Sequence, residues 1–368
     1  MVTLALRNLI TEKTRFAFSA AGIGFAVFLI TILLGLYQGW NKKVGGFVEH
    51  VDADAWVARE GTTDFINAAS ILPASMREDL LKTGAASVTP MIVRPMSFQK
   101  GDDAVDIHTV GYDVETGVGG PPKVVKGRSD PHGAEIIIDE VLERTKGVHI
   151  GDTLSYGRQS VTVVGIASGA NFAFSQAGFM DLQGARDLLA MGDLSTFYLV
   201  KLPQGMTVDE WRTKVDTGKD GTRIFSTKDF ASSTRHRILD QVIPIIGLIL
   251  ALAFIVGIAI TSLTIYTATV ERTREFGVMK AVGFNNLDLY KLVMAQSLIT
   301  GGVGFVFGVT LTLILSRFVE GLVATFIVLV RPIDVGFVFI VTLLMAAGAA
   351  IVPARRVASV DPVVAFRG

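Results

Sequence analysis

The chain contains no cysteine. Disulfide frameworks, cysteine-ligated zinc and thiol nucleophiles are therefore excluded, and any domain facing an oxidising compartment must be held by its own core. Charge is sparse as well. Only 18% of the 368 residues are Asp, Glu, Lys or Arg, acidic and basic residues balance at 34 each, and Lys and Arg never run to more than two in succession. That removes the electrostatic footprint of a nucleic-acid binder. No G-x-x-x-x-G-K-[ST] cradle occurs, nor H-E-x-x-H, nor G-x-S-x-G, so these residues carry no P-loop ATP site and no familiar hydrolytic constellation. His50, His108, His132, His149 and His236 lie far apart. The nearest approach to a cation site is Asp102, Asp103, Asp106 and His108, whose irregular spacing reads as an acidic hairpin turn; no metal site and no catalytic residue are expected.

What the chain has in abundance is apolar sequence. Half of it is hydrophobic and the mean hydropathy is +0.49, a value soluble domains rarely reach. Four runs meet the length of about 20 apolar residues needed to cross hydrocarbon: Phe16–Tyr37, Val242–Val270, 292–316 and 333–352. A further stretch, LVATFIVLV from Leu322 to Val330, is too short to cross and reads as a re-entrant or interfacial element. The first run could instead be a signal peptide, but it exceeds a typical h-region and GLYQGWNKK offers no small-x-small cleavage site. Basic residues near the spans set the orientation. Arg7, Lys13 and Arg15 precede the first span, Arg272, Arg274, Lys280 and Lys291 lie between the second and third, and Arg355, Arg356 and Arg367 follow the fourth. Both termini are thus expected inside, and the long segment between the first two spans outside.

The expected organisation is a cytoplasmic amphipathic segment (1–15), a first transmembrane helix (16–38), an extracytoplasmic domain with stalk helices (39–240), a second helix (241–270), a cytoplasmic segment (271–291), a third helix (292–316), an outer loop (317–332), a fourth helix (333–352) and a cytoplasmic tail (353–368). The fold class is an α-helical membrane protein with four transmembrane helices and a large mixed α/β extracytoplasmic domain between the first and second. Within that domain DADAWVARE reads as a strand, PASMREDLLKT as a helix, and VTPMIVRPMSFQKGDDAVDIHTVGY as strands joined at Gly101-Asp102-Asp103. AEIIIDEVLERTKG reads as strand, helix and glycine stop, and VHIGDTLSYGRQSVTVVGIAS as a meander. Ser226 or Thr227 followed by Asp229 resembles a capping box. A helix starting there and running into the second span would make a stalk, with residues 38–50 as its partner; a plain juxtamembrane linker is the competing reading.

The span interiors hold no Asp, Glu, Lys, Arg or His, which argues against an ion-coupled transporter, because such groups are costly in lipid and kept where transport needs them. Small residues stand there instead. Gly304 and Gly308 form a G-x-x-x-G that permits close packing, within the chain or between two copies.

Between the second and third spans lies VERTREFGVMKAVGFNNLDLYKLVMAQ. Its pattern predicts that the second span continues as a helix to about Ala281, stops near Gly283 and restarts at Asn285-Asn286. Glu271, Arg274, Glu275 and Lys280 are then available to a cytoplasmic partner.

That stretch resembles the coupling segment of the MacB/FtsX-like ABC-transporter permeases, roughly R-x-E-I-G-x-x-R-A-x-G. Arg272 or Arg274, Glu275, Gly277, Lys280, Ala281 and Gly283 match; Phe276 replaces Ile, Lys280 replaces Arg, and Gln296 stands where an acid is common. The ending PARRVASVDPVVAFRG is similar to the family's P-A-x-R-A-A-x-L-D-P-V-x-A-L-R, with Pro353, Ala354, Arg356, Ala358, Asp361, Pro362, Val363, Ala365 and Arg367 in place. EKTRF, GIGFAV and DADAWV look like the DevC-type exporter branch.

The resemblance implies a permease subunit in a bacterial plasma membrane, with no cofactor of its own and ATP and Mg on a separate ABC ATPase. It also implies pairing with a second copy or paralogue, contact with membrane lipid, and a membrane-fusion protein as an optional partner. Glu271, Arg272, Arg274, Glu275, Phe276, Gly277, Lys280, Ala281 and Gly283 would couple to the ATPase. Motion passed to the outer domain would then export a lipid-like, peptide or other outward-lying substrate. The alternatives are an FtsX-like transducer that activates a cell-wall hydrolase and the permease of an amino-acid transporter.

Overall fold

The computed structural model describes residues 13–169, 172, 176–215, 221–322 and 327–358. In chain order the elements are α1 (Lys13–Val44), α2 (Gly46–His50), β1 (Ala55–Arg59), α3 (Ser75–Lys82), β2 (Ser87–Lys100), β3 (Asp103–Tyr112), β4 (Lys123–Gly127), β5 (Glu135–Asp139) and α4 (Glu140–Lys146). Then follow β6 (Thr153–Tyr156), β7 (Gln159–Ser168), β8 (Gln176–Asp181), α5 (Leu182–Leu189), β9 (Phe197–Lys201), α6 (Val208–Arg212), β10 (Thr222–Ser226), α7 (Thr227–Glu271), α8 (Thr273–Ala281), α9 (Asn286–Leu322) and α10 (Pro332–Ala358). They form two compact units: an α/β unit of Trp40–Gln241, and a helical unit drawn from the residues before it and after it.

In the α/β unit the strands follow the order β10-β1-β9-β2-β3-β8-β5-β7-β4. The 14-residue β2 serves three partners: Ser87–Met91 pairs with β9, Ile92–Lys100 with β3, and Gln99 also with Ser155 of β6. Each half has a largely open edge on its other side, which is how Pro90 and Pro95 are tolerated in a strand, since their missing N–H groups can face that edge. At the changeover the ladder is continued by a side chain. Thr196 Oγ1 accepts from Val93 N at 3.1 Å while Thr196 N donates to Met91 O at 2.8 Å.

The expected strand-turn-strand at Gly101 is the β2–β3 hairpin, with Gly101 at φ +61°. Asp139 caps α4, and Gly147, at φ +59°, stops it. Phe47, Trp56, Phe65, Phe172 and Phe197 share one aromatic core, with ring centroids 5.2 to 5.9 Å apart. This apolar area stands where a cysteine-free domain has no crosslinks to rely on.

Asp102, Asp103, Asp106 and His108 spread along the hairpin, and His108 packs on Phe172. Among the described residues no three acidic or histidine side chains could share a metal ion.

The stalk is built from neighbouring helices. Asp229 N donates to Ser226 Oγ at 3.0 Å at the start of α7. Arg235 on α7 donates to Asn41 O at 3.1 Å and to Glu49. Its guanidinium lies where a Cβ on Gly45 would stand, 2.7 Å from that position. Phe47, Val48, Phe230, Ala231 and Ile238 continue the contact as one apolar cluster.

Among the described residues, four helices are long and apolar enough to cross a membrane. They overrun the expected spans: α9 begins at Asn286 and reaches Leu322, so residues 317–322 are helix rather than loop. Ile23, Ala26, Val27 and Ile30 of α1 pack with Ala253 of α7 and with Val338 and Met345 of α10.

The glycines set the spacing. A Cβ on Gly308 would stand 2.4 Å from Gly24 O and 2.7 Å from Val27, and one on Gly304 would stand 2.8 Å from Ile23. The Gly304–Gly308 face is therefore filled by α1 of the same chain, which is the intrachain packing of the two expected uses rather than the dimer contact.

A second close approach was not anticipated. Leu329 N donates to Gly35 O at 2.9 Å, and a Cβ on Gly39 would collide with Ile327 O at 1.9 Å. Ile327–Val330 is thus extended chain strapped over Gly35 and Gly39. This is the described part of the expected interfacial element; residues 323–326 lie outside the described residues.

Candidate functional site

The charged segment between the second and third apolar helices begins with a short helix set off from α7 by one residue. α7 ends at Glu271, Arg272 turns the backbone at φ −98°, ψ 19°, and α8 starts at Thr273. Thr273 Oγ1 donates to Val270 O at 2.6 Å, and such back-bonding competes with the helical ladder. Helix therefore reaches Ala281 as expected, with a one-residue interruption at Arg272 that the expectation lacked.

At the other end Gly283 N donates to Lys280 O at 3.1 Å and Phe284 N to Met279 O at 3.0 Å, with Gly283 at φ +107°. This pair of bonds is a Schellman stop, and its left-handed residue needs glycine. The chain restarts one residue later. Asp288 N donates to Asn285 Oδ1 at 2.9 Å and Asn285 N to Asp288 Oδ2 at 3.3 Å, a reciprocal cap for α9.

The candidate coupling residues divide by the way they face. Phe276 and Gly277 are buried; Phe276 packs with Leu289, Leu292 and Val293 of α9 and with Ala350, Ala354 and Val357 of α10. Lys280 Nζ donates to Ala358 O at 2.6 Å, so it caps α10 instead of facing outward. A cation near a helix C-terminus offsets the dipole of that end.

Glu271 is also engaged within the chain: Arg15 grips it with two nitrogens, one at 2.7 Å. Arg272 is mostly buried, 3.7 Å from Glu275, and lines a cleft of about 50 Å³ with Arg15, Ser19, Thr264, Gln296 and Thr300. Lys280 is thus turned to α10, which corrects the expectation that it is available to a partner, whereas Glu271 stays exposed while held by Arg15. Arg274, Glu275, Ala281 and Gly283 are exposed.

With them stand Val278, Val282, Phe284 and Leu287, of which Val282 is 76% exposed. Charge pattern alone does not mark these apolar groups. Apolar residues three and four apart beside a glycine stop were the available signal.

Of the C-terminal motif, Pro353 is buried inside α10 and Arg356 is exposed on its last turn. Asp361, Pro362 and Arg367 lie outside the described residues.

The MacB-like periplasmic core domain profile matches residues 16–217, more than half of the chain, and the FtsX-like permease C-terminal profile matches residues 247–362. The chain belongs to the MacB/FtsX-like family of ABC transporter permeases. An uncharacterized ABC transporter permease of Mycobacterium tuberculosis is 24% identical over the full length of both chains. The macrolide export ATP-binding/permease protein MacB of Bradyrhizobium diazoefficiens is 26% identical over 63% of this chain and 38% of its own. The periplasmic region of MacB from Actinobacillus actinomycetemcomitans aligns with 49% of this chain and 92% of its own at 14% identity and a TM-score of 0.38. Membership implies an ATPase partner for this permease. The four apolar helices make it a membrane protein with a mixed α/β extracytoplasmic domain.

Proposed function

We propose that this permease passes the ATP-driven motion of a separate ABC ATPase to its own α/β domain, and that this stroke exports a lipid-like, peptide or other outward-lying substrate. The observation that carries the reading is the form of the 271–291 segment. A nine-residue helix is anchored inward by Phe276 and stopped by Gly283, and it presents Arg274, Glu275, Val278 and Val282 outward. An exposed apolar ridge flanked by charge is costly in water and fits a groove on a partner. The bacterial plasma membrane with both termini inside agrees with the basic residues at that end. In that orientation α8 faces the compartment in which the proposed partner chain binds ATP and Mg. The stalk contacts of Arg235, and the continuity of α7 from the membrane span into the α/β unit, supply a path that needs no charged residue in the spans. Pairing with a second copy or paralogue, and with a membrane-fusion protein, completes the proposed assembly.

The test is gentle purification through a tag on this chain, followed by mass spectrometry, for the parent and for Arg274→Glu with Glu275→Lys. The parent is expected to bring down an ABC ATPase, and the charge-reversed chain to lose ATP-driven activity while still inserting in the membrane. Unchanged activity in the reversed chain would refute the coupling role. A wall hydrolase in place of a fusion protein would move the reading to the FtsX-like transducer.

A further inference from the structure

We propose that the Arg15–Glu271 pair is the tie through which displacement of α8 reaches α1, making these two side chains positioning residues for coupling. The inference rests on the function proposed above and goes beyond it, because neither residue then touches the ATPase.

Four observations converge on the pair. Glu271 is the last residue of α7, immediately before the backbone turn at Arg272, so it sits where α8 can hinge on the span. Arg15 reaches it across 256 positions of sequence with both terminal nitrogens. A two-pronged guanidinium–carboxylate contact constrains direction as well as distance. Behind the pair lies the cleft of about 50 Å³ walled by Ser19, Thr264, Phe276 and Gln296. Finally, the far end of α8 has its own tie, Lys280 Nζ to Ala358 O of α10. α8 is thus tied to α10 through Lys280, and Arg15 ties α1 to Glu271 at the end of α7, immediately ahead of the turn into α8.

The bland alternative is a surface ion pair of little consequence. Both side chains are well exposed, at 38% and 55%, and such pairs contribute little to stability. The two readings therefore differ in what a substitution moves: the tie predicts lost transmission with unchanged stability.

The experiment uses the full chain with its co-purified ATPase in nanodiscs. The natural absence of cysteine allows one fluorophore at Lys82→Cys, an exposed site in the α/β unit. Addition of ATP with Mg should change its signal in the parent. Arg15→Glu and Glu271→Arg are each expected to reduce that change severalfold, because each reversal replaces the opposed charges with like charges. The ATPase should still co-purify and the melting temperature should stay put. Arg15→Glu with Glu271→Arg should recover most of the response. Single reversals that respond like the parent, or a double reversal no better than the singles, would overturn the proposal. A parent chain that brings down no ATPase, or shows no ATP response, would overturn the function itself and this inference with it, and that failure appears before either residue is altered.

Discussion

Replacing Gly283 with alanine isolates the conformational cost of the coupling hairpin. Gly283 sits at φ +107° in the Schellman stop of α8, and a Cβ built on it meets nothing within 4 Å. No steric collision with a neighbour contributes, so the whole penalty is that of forcing an L residue into left-handed backbone, about 1–2 kcal/mol. The chain can relieve that strain by opening the turn, which would release Phe284 and reorient the ridge of Val278 and Val282. A penalty of that size lowers the population of the closed hairpin by a factor of about 5–30. Recovery of the ATPase at limiting concentration should fall by up to the same factor. The control is Gly302→Ala, a helical glycine that also meets nothing within 4 Å and has no positive φ. It is expected to be neutral or slightly stabilising. Quantitative mass spectrometry of tagged chain and ATPase, at several detergent-solubilised concentrations, reads the ratio. Equal recovery for Gly283→Ala and Gly302→Ala would refute the claim that the stop geometry shapes the docking surface.

Two further outcomes test the fold beneath the site. Gly308→Val places atoms where Gly24 O and Val27 stand and should cost about 1–3 kcal/mol through overpacking of α1 against α9. A lower melting temperature of the purified chain is expected, whereas unchanged melting with lost self-association would restore the dimer-contact reading. Burial holds the His108 imidazole below its ordinary value, opposed by its bond to the Ile66 carbonyl and by nearby Asp64. The unfolded chain therefore binds the proton more readily, so the neutral ring's contribution is fully present above about pH 6.5 and is lost as pH falls toward the folded value. Trp40, Trp56 and Trp211 all lie in the α/β unit, so tryptophan fluorescence melts between pH 7 and 5 should show a steeper loss for the parent than for His108→Asn. Parallel profiles would refute it.

Much of the architecture could be read along the chain, because its signals are local. A span is a matter of about 20 consecutive apolar side chains, and no tertiary contact is needed to recognise Phe16–Tyr37 or Val242–Val270. The hairpin at Gly101, the stop at Gly147 and the restart at Asn285 are equally local, since each depends on a residue whose backbone freedom or short polar side chain suits one turn. The family motifs in 271–283 and 353–367 marked the site for the same reason: they are contiguous. Less legible was the division of labour within the site. Charge alone put Glu271 and Lys280 in the same class as Arg274 and Glu275.

What the sequence determined by itself is a four-span membrane protein with a cysteine-free α/β domain and a glycine-stopped charged segment, because composition, periodicity and turn chemistry are properties of neighbouring residues. Only the tertiary structure decided which of those residues face outward. Arg15 meets Glu271 across 256 positions, Lys280 meets Ala358 across 78, and Gly308 meets Gly24 where two helices cross. Each outcome depends on which groups the folded helices bring within a few ångströms of one another. That information belongs to the packing and is absent from any single stretch of chain.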